Sequence, residues 1–186
     1  EKEKIYIPEL IFGNLLTSSN YDQSEKKHVG GKNGYGAKLA NIFSRQFTIE
    51  TVDEKNKLKF TQTFRDNMKV KEKPKISKYG KKPYTQVSYI PDYARFKQKG
   101  LTDDMIKIIV KRAYDMAAWT DNSVSVFLNG EKIESKNFEK YVDLYIGAKS
   151  ETPRAYEKVN DRWEVCACLN PNVSFEQVSF ANGIQT

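Results

Sequence analysis

Four of the chain's ten glycines fall within seven consecutive positions, Gly30-Gly31-Lys32-Asn33-Gly34-Tyr35-Gly36. Glycine adopts left-handed backbone angles cheaply and lets a ligand reach the main chain. Beyond the run, Leu39, Ala40, Ile42, Phe43 and Phe47 recur at helical spacing, so the glycines open a helix. The unpaired N–H groups and positive dipole end of that helix, added to the loop amides, make a cradle for an anion such as a polyphosphate. Lys32 and Lys38 can place point charges on it. Lys38 would sit in the first helical turn, where the dipole disfavours a cation unless an anion is bound. A lone pair of glycines would only turn the chain. The density, the helix that follows and the lysines together favour phosphate binding.

Spacing excludes two common phosphate loops. A P-loop requires Gly-Lys-Ser/Thr, whereas Gly36 is followed by Ala37, and Leu39 follows Lys38. The dinucleotide fingerprint requires a further glycine where Leu39 stands, and the run follows a polar segment through His28 rather than a buried strand.

Periodicity outlines the rest. Pro8 opens a helix over Glu9 to Thr17, with Leu10, Ile11, Leu15 and Leu16 apolar. Phe47–Val52 and Leu58–Phe64 alternate at period two and read as a hairpin, and Tyr84–Ile90 reads as a further strand. Thr102 followed by Asp103 and Asp104 starts a helix with Met105, Ile109, Ala113 and Met116 as its buried stripe. Val124–Leu128 runs into a tight turn at Asn129-Gly130 and on to Ile133. Asn137–Ile146 is helical, with Phe138, Tyr141, Val142 and Tyr145 on one face; Trp163–Leu169 and Phe175–Phe180 are strand-like. A domain boundary falls near Lys136, giving segments 1–136 and 137–186.

A net charge of +7 suits work near nucleic acid, but much of it sits in the lysine-rich segment from Lys69 to Lys82, which reads as a solvated connector. No apolar run is long enough to cross a membrane, and the N-terminus lacks a signal-peptide layout. Cys166 and Cys168 share one strand face, too close for an unstrained disulfide, and read as reduced, packed thiols. His28, the only histidine, is far from them in sequence, so no metal site is expected.

The stretch Gly30-Gly-Lys-Asn-Gly-Tyr-Gly-Ala-Lys-Leu-Ala-Asn-Ile-Phe-Ser44 resembles the ATP-binding glycine motif of the eukaryotic type II DNA topoisomerase family, which shares an ATPase superfamily with gyrase, histidine kinases and the MutL proteins. Pro8-Glu-Leu-Ile-Phe-Gly-Asn-Leu-Leu-Thr-Ser-Ser-Asn-Tyr-Asp22 resembles the segment preceding that motif. Arg112–Asp115, Phe127–Gly130, Tyr141–Tyr145 and Val178–Asn182 follow in the family's order. Lys32 stands where the family is expected to carry arginine, which keeps the charge but loses a bidentate fork.

The resemblance implies a two-layer α/β sandwich, with helices on one face of a mixed, largely antiparallel sheet. The hairpin and the strands at Tyr84 and Val124 would form the sheet, and the helices after Pro8, Gly36 and Thr102 would cover it. Residues 1–136 would be the C-terminal part of an ATP-binding domain and 137–186 the opening of a transducer domain. It also implies a nucleotide site at Ser18, Ser19, Asn20, Gly31, Lys32, Asn33, Gly34, Tyr35, Gly36, Ala37 and Lys38. Without it, Ser18–Asn20 would read as a cap and turn. The family's catalytic glutamate and magnesium-binding asparagine lie upstream of Glu1, and Glu9, Glu25 and Glu50 do not match them. The chain is therefore expected to be an internal fragment that does not hydrolyse ATP by itself. ATP and Mg2+ are the implied cofactors, double-stranded DNA and a second subunit the implied partners, and the nucleus the implied location. The other readings are a catalytically silent interaction module, or another ATPase of the superfamily acting in mismatch repair or as a chaperone.

Overall fold

A computed structural model describes residues 5–22, 24 and 30–186; Glu25 and His28 lie outside the described residues. The chain divides into two compact units, residues 1–100 and 101–186.

The first unit is organised by a ten-residue strand, β1 (Ser44–Asp53), which turns through Asp53–Asn56 into β2 (Leu58–Arg65). Their antiparallel register sets Phe47 opposite Phe64, Ile49 opposite Gln62 and Thr51 opposite Phe60. This alternation puts the aromatic residues on one face and Thr48, Glu50, Thr61 and Thr63 on the other. Phe47, Ile49 and Phe64 are buried on the first face, with Phe12, Ala40 and Met68 packed against them. On the polar face the hydroxyls of Thr48 and Thr63 meet at 3.1 Å, and Glu50 accepts from Tyr84, Lys59 and Thr61. The expected Tyr84 strand is β5 (Thr85–Pro91), which pairs antiparallel with the other edge of β1. A 3-10 turn, Tyr93–Phe96, follows it.

The lysine-rich segment is more than a connector. It contains β3 (Val70–Lys71) and β4 (Lys75–Lys78), both paired antiparallel to β2, and completes a five-stranded sheet.

Two seven-residue helices cover the aromatic face: α1 (Ile7–Gly13) and α2 (Gly36–Ile42). Both are shorter than their sequence patterns predict. At the C-terminus of α1, Gly13 lies so near the Phe64 ring that a Cβ there would come within 3.0 Å, and Lys71 donates to the Gly13 carbonyl at 3.1 Å. Phe47 does not continue α2. It belongs to β1 and reaches the same core from the sheet.

The second unit holds α3 (Asp103–Trp119), the short hairpin β6 (Phe127–Leu128) and β7 (Glu131–Lys132), and α4 (Phe138–Ile146). It continues with β8 (Arg154–Asn160), β9 (Trp163–Cys168), β10 (Phe180–Ala181) and β11 (Ile184–Gln185). Thr102 caps α3 by accepting from the Met105 amide, and Asn137 caps α4 from the Lys140 amide. Positive φ angles at Asn129 and Gly130 make the expected tight turn.

Several expectations are corrected here. The Val124 strand does not join the main sheet; its ordered part, β6, pairs only with β7. The helix after Thr102 packs on α4 within the second unit. In this unit the Tyr141 hydroxyl of α4 donates to Asp115 of α3 at 2.6 Å. That bond also sets which face of α3 is inside. Asp115 and Ala117 are buried, whereas Met105 and Ile109 are exposed. Arg154–Asn160, not expected as a strand, is β8; its first residue ties it to α4, with Arg154 donating to Asp143 at 2.8 Å and to the Gly147 carbonyl at 2.5 Å. Phe175–Ser179 is irregular, and only Phe180 enters a strand. Cys166 and Cys168 are free thiols as expected, but Cys168 is exposed rather than packed.

The architecture is mixed α/β, and every strand pairing among the described residues is antiparallel. Phe47, 1% exposed, contacts the rings of Phe12, Phe64 and Tyr89. Phe47→Ala is expected to destabilise the first unit by about 3–5 kcal/mol. Tyr89→Ala, at a half-exposed ring on the same face, should cost less than half of that. Denaturant unfolding of the two variants checks the difference.

Candidate functional site

The loop between the helices is built from the far end of α1 and the near end of α2. After Gly13 the chain turns through Asn14 and Leu16, the latter at φ 59°. Thr17 is held there by its hydroxyl, which donates to the carbonyls of Leu10 and Asn14. The Ser18 hydroxyl accepts from the Asn20 amide at 3.1 Å, a local turn of the kind serine readily makes. The Asn20 side-chain amide then donates to the Gly31 carbonyl at 2.8 Å, and the Tyr21 hydroxyl to the Asn33 carbonyl at 3.2 Å. These two bonds bind the Ser18–Tyr21 segment to the glycine loop.

Gly34 has φ +65°, in the left-handed region where a side chain is strained. A Cβ at this position would lie 3.0 Å from the Thr17 carbonyl oxygen, 3.1 Å from the Ser18 Cβ and 3.2 Å from the Lys38 Nζ. Both the conformation and the close approach therefore require glycine. By contrast, a Cβ at Gly31 or Gly36 would meet open space.

Lys38 is the unusual residue. Only 3% exposed, it points its Nζ at the Thr17 carbonyl oxygen, 3.2 Å away. Among the described residues no carboxylate lies within ion-pair distance of it, and burial pushes its ammonium below the usual lysine range. A buried cation holding one neutral acceptor is poorly compensated. Tyr35 precedes α2 without a capping side chain, so its own side chain leaves the first N–H groups of the helix uncapped. A glycine that admits close backbone approach and a buried ammonium thus lie together at the start of α2.

Of the eleven residues expected at the site, Ser18, Asn20, Gly31, Asn33, Gly34 and Lys38 are joined by these contacts. Ser19, Lys32, Tyr35, Gly36 and Ala37 lie in the same two segments, all but Ala37 exposed. Asn41, which the pattern of the helix does not single out, is 1% exposed; it donates to the Phe12 carbonyl at 3.1 Å while its own Oδ1 has no partner. Its signal is a lone amide within the run Leu39-Ala40-Ile42. Glu50 is engaged on the opposite face of the sheet, where its bond from Tyr84 and then Lys59 hold its carboxyl below the usual range. That bond pushes the Tyr84 hydroxyl up to about 12. No group of three or more His, Cys, Asp or Glu suited to a metal ion occurs among the described residues, and none of their helices is long and apolar enough to cross a membrane.

No family model matches the chain. Individual proteins do. The chain is 51% identical over 193 residues to DNA topoisomerase 2 of Arabidopsis thaliana, covering 100% of this chain and 13% of that protein. It is 48% identical over 203 residues to DNA topoisomerase 2 of Candida glabrata, covering 100% of this chain and 14% of that protein. Among solved structures, the ATPase region of Saccharomyces cerevisiae topoisomerase II superposes with a TM-score of 0.90 at 46% identity, over 99% of this chain and 48% of that one. The ATPase and transducer domains of Balamuthia mandrillaris DNA topoisomerase II superpose with a TM-score of 0.87 at 45% identity, over 97% of this chain and 46% of that one. The chain thus spans about one seventh of the curated relatives it matches and about half of the solved ATPase regions. With near-complete coverage at this identity, and a glycine loop whose geometry suits a polyphosphate, the chain belongs to the eukaryotic DNA topoisomerase II family and corresponds to part of its ATPase region.

Proposed function

We propose that this chain forms part of the ATP site of a type II DNA topoisomerase, in which ATP binding and hydrolysis close a dimeric gate and drive one DNA duplex through another. The observation that carries the reading is Lys38, buried beside Gly34 with a carbonyl oxygen and, among the described residues, no counter-charge. A triphosphate supplies the missing negative charge. Gly34 leaves the backbone accessible, and the loop amides from Gly31 to Lys38 are the donors that would wrap the phosphates. Ser18, Ser19 and Asn20 would contact the nucleoside side and the nearest phosphate. Magnesium, when bound, offsets charge on the phosphates. In this reading 1–136 belongs to the ATP-binding domain and 137–186 opens the transducer, the partners are duplex DNA and a second subunit, and the location is the nucleus. Membership of the topoisomerase family disfavours the mismatch-repair and chaperone readings.

The experiment is nucleotide binding by the full-length protein. Removing the Lys38 ammonium deletes a charge-assisted hydrogen bond of about 1.5–3 kcal/mol, so Lys38→Ala is expected to weaken ATP binding on the order of ten- to a hundredfold. Unchanged affinity would leave a catalytically silent interaction module as the better reading.

Gly34→Val is expected to abolish ATP-dependent strand passage, because its side chain would collide with Thr17 and Ser18 in a backbone conformation that valine avoids. A strand-passage assay alongside ATP titration checks it, and normal nucleotide affinity in that variant contradicts the assignment.

A pH dependence follows from Lys38. Its ammonium lies below the usual range in the free protein, and a bound polyanion raises it. Rising pH therefore deprotonates Lys38 in the free protein first, and ATP affinity falls across that window with one proton taken up on binding. The free protein gains stability over the same window, since the unfolded chain then holds more protons. Calorimetry in two buffers of different ionisation enthalpy reads the uptake, which Lys38→Ala should remove.

A further inference from the structure

The chain's positive charge is concentrated in one place. Residues 69–82 hold seven lysines against one glutamate, so nearly all of the net +7 resides there. This segment forms the outer edge of the sheet, where, among the described residues, β3 and β4 pair with β2 on one side and with no strand on the other. All four residues of β4 are exposed. The one acid, Glu72, is bound by Arg65 at 2.5 Å. Lys71 is spent on the Gly13 carbonyl. Among the described residues the other six ammonium groups have no hydrogen-bond or ion-pair partner.

Edge strands commonly carry a lysine or a proline to deter pairing with another chain. Pro74 and one lysine would serve that end. Six unpartnered ammonium groups within fourteen residues of chain repel one another instead, and a polyanion reverses the sign of that energy. The segment contains no Arg, Asn or Gln, the side chains that most often read base edges. Its chemistry suits phosphates alone, as positioning contacts do. The strand β4, Lys75–Lys78, covers about 10 Å, a length over which a duplex carries about six charges.

We infer that the β3–β4 edge, through Lys73, Lys75 and Lys78 with their neighbours Lys69, Lys81 and Lys82, is a sequence-independent contact surface for the phosphate backbone of duplex DNA. The inference rests on the function proposed above and adds a place where the duplex touches this part of the protein. Each phosphate contact contributes a salt-dependent increment to binding, because it releases condensed counterions.

The test is binding of the full-length protein to a short mixed-sequence duplex, followed by anisotropy between about 50 and 200 mM salt. In the triple variant Lys73→Gln/Lys75→Gln/Lys78→Gln the slope of log K against log salt is expected to become shallower by about 2–3, and in each single variant by just under about 1. Changing the sequence of the duplex should leave these differences as they are. The control Lys97→Gln/Lys99→Gln/Lys132→Gln, which removes as many exposed charges elsewhere, should keep the parent slope. The single variants each retain most of the edge charge and so report even if the triple variant folds poorly. An unchanged slope in the three single variants overturns the inference, as does an equal change in the control or a loss of affinity only for anionic lipid vesicles. A parent protein that binds no duplex at all overturns the proposed function as well, so the two failures are distinguishable.

Discussion

The packing of Phe47, Ile49 and Phe64 against Phe12 and Ala40 is the contact on which the site depends. Helices of seven residues do not persist in water without tertiary support, since nucleating a helix costs more than so few backbone bonds return. α1 and α2 exist as helices here because the aromatic face of the sheet gives each a surface to bury. Asn41 adds a bond from α2 to the Phe12 carbonyl of α1. The two helices hold the ends of the loop at a fixed separation, and the bonds from Asn20 and Tyr21 set its course between them. The position of Lys38 is thus a consequence of the β1–β2 register, passed on through α1 and α2.

At the loop itself local preference and tertiary structure disagree. A cation in the first turn of a helix opposes the dipole, a buried ammonium without a carboxylate opposes solvation, and Gly34 adopts a backbone angle open to few residues. Each conflict is tolerable because the sheet beneath is well packed. Conflicts of this kind gather at functional sites, where a ligand relieves them. The polar face of the same sheet shows the opposite condition: Glu50 is satisfied by Tyr84, Lys59 and Thr61 and has no unmet demand.

The second unit is joined by polar as well as apolar contacts. Asp115, 5% exposed, accepts from Tyr141 at 2.6 Å and from Lys111 at 3.0 Å, while Arg112 donates to the Gly183 carbonyl at 2.6 Å. Gly183 lies against the Trp119 ring so closely that a Cβ would come within 2.9 Å. One turn of α3 thereby reaches both α4 and the β10–β11 hairpin. A buried carboxylate with this many donors specifies one arrangement, since any other would leave a charge unpaired.

What the sequence determined by itself was whatever depends on near neighbours. The period of two in Phe47–Phe64 named the hairpin, Thr102 and Asn137 named two helix starts, Asn129-Gly130 named a turn, and the glycine run named a loop that opens a helix. Each of these follows from backbone propensity or capping within a few residues. Tertiary structure decided what depends on distant partners. It ended α2 at Ile42 and gave Phe47 to a strand, made edge strands of a lysine-rich segment that reads as a connector, and turned Asp115 rather than Ile109 inward. It left Phe175 exposed outside any strand and buried Lys38 against a carbonyl from the other side of the loop. Burial and pairing are properties of two surfaces, and a local pattern carries only one of them.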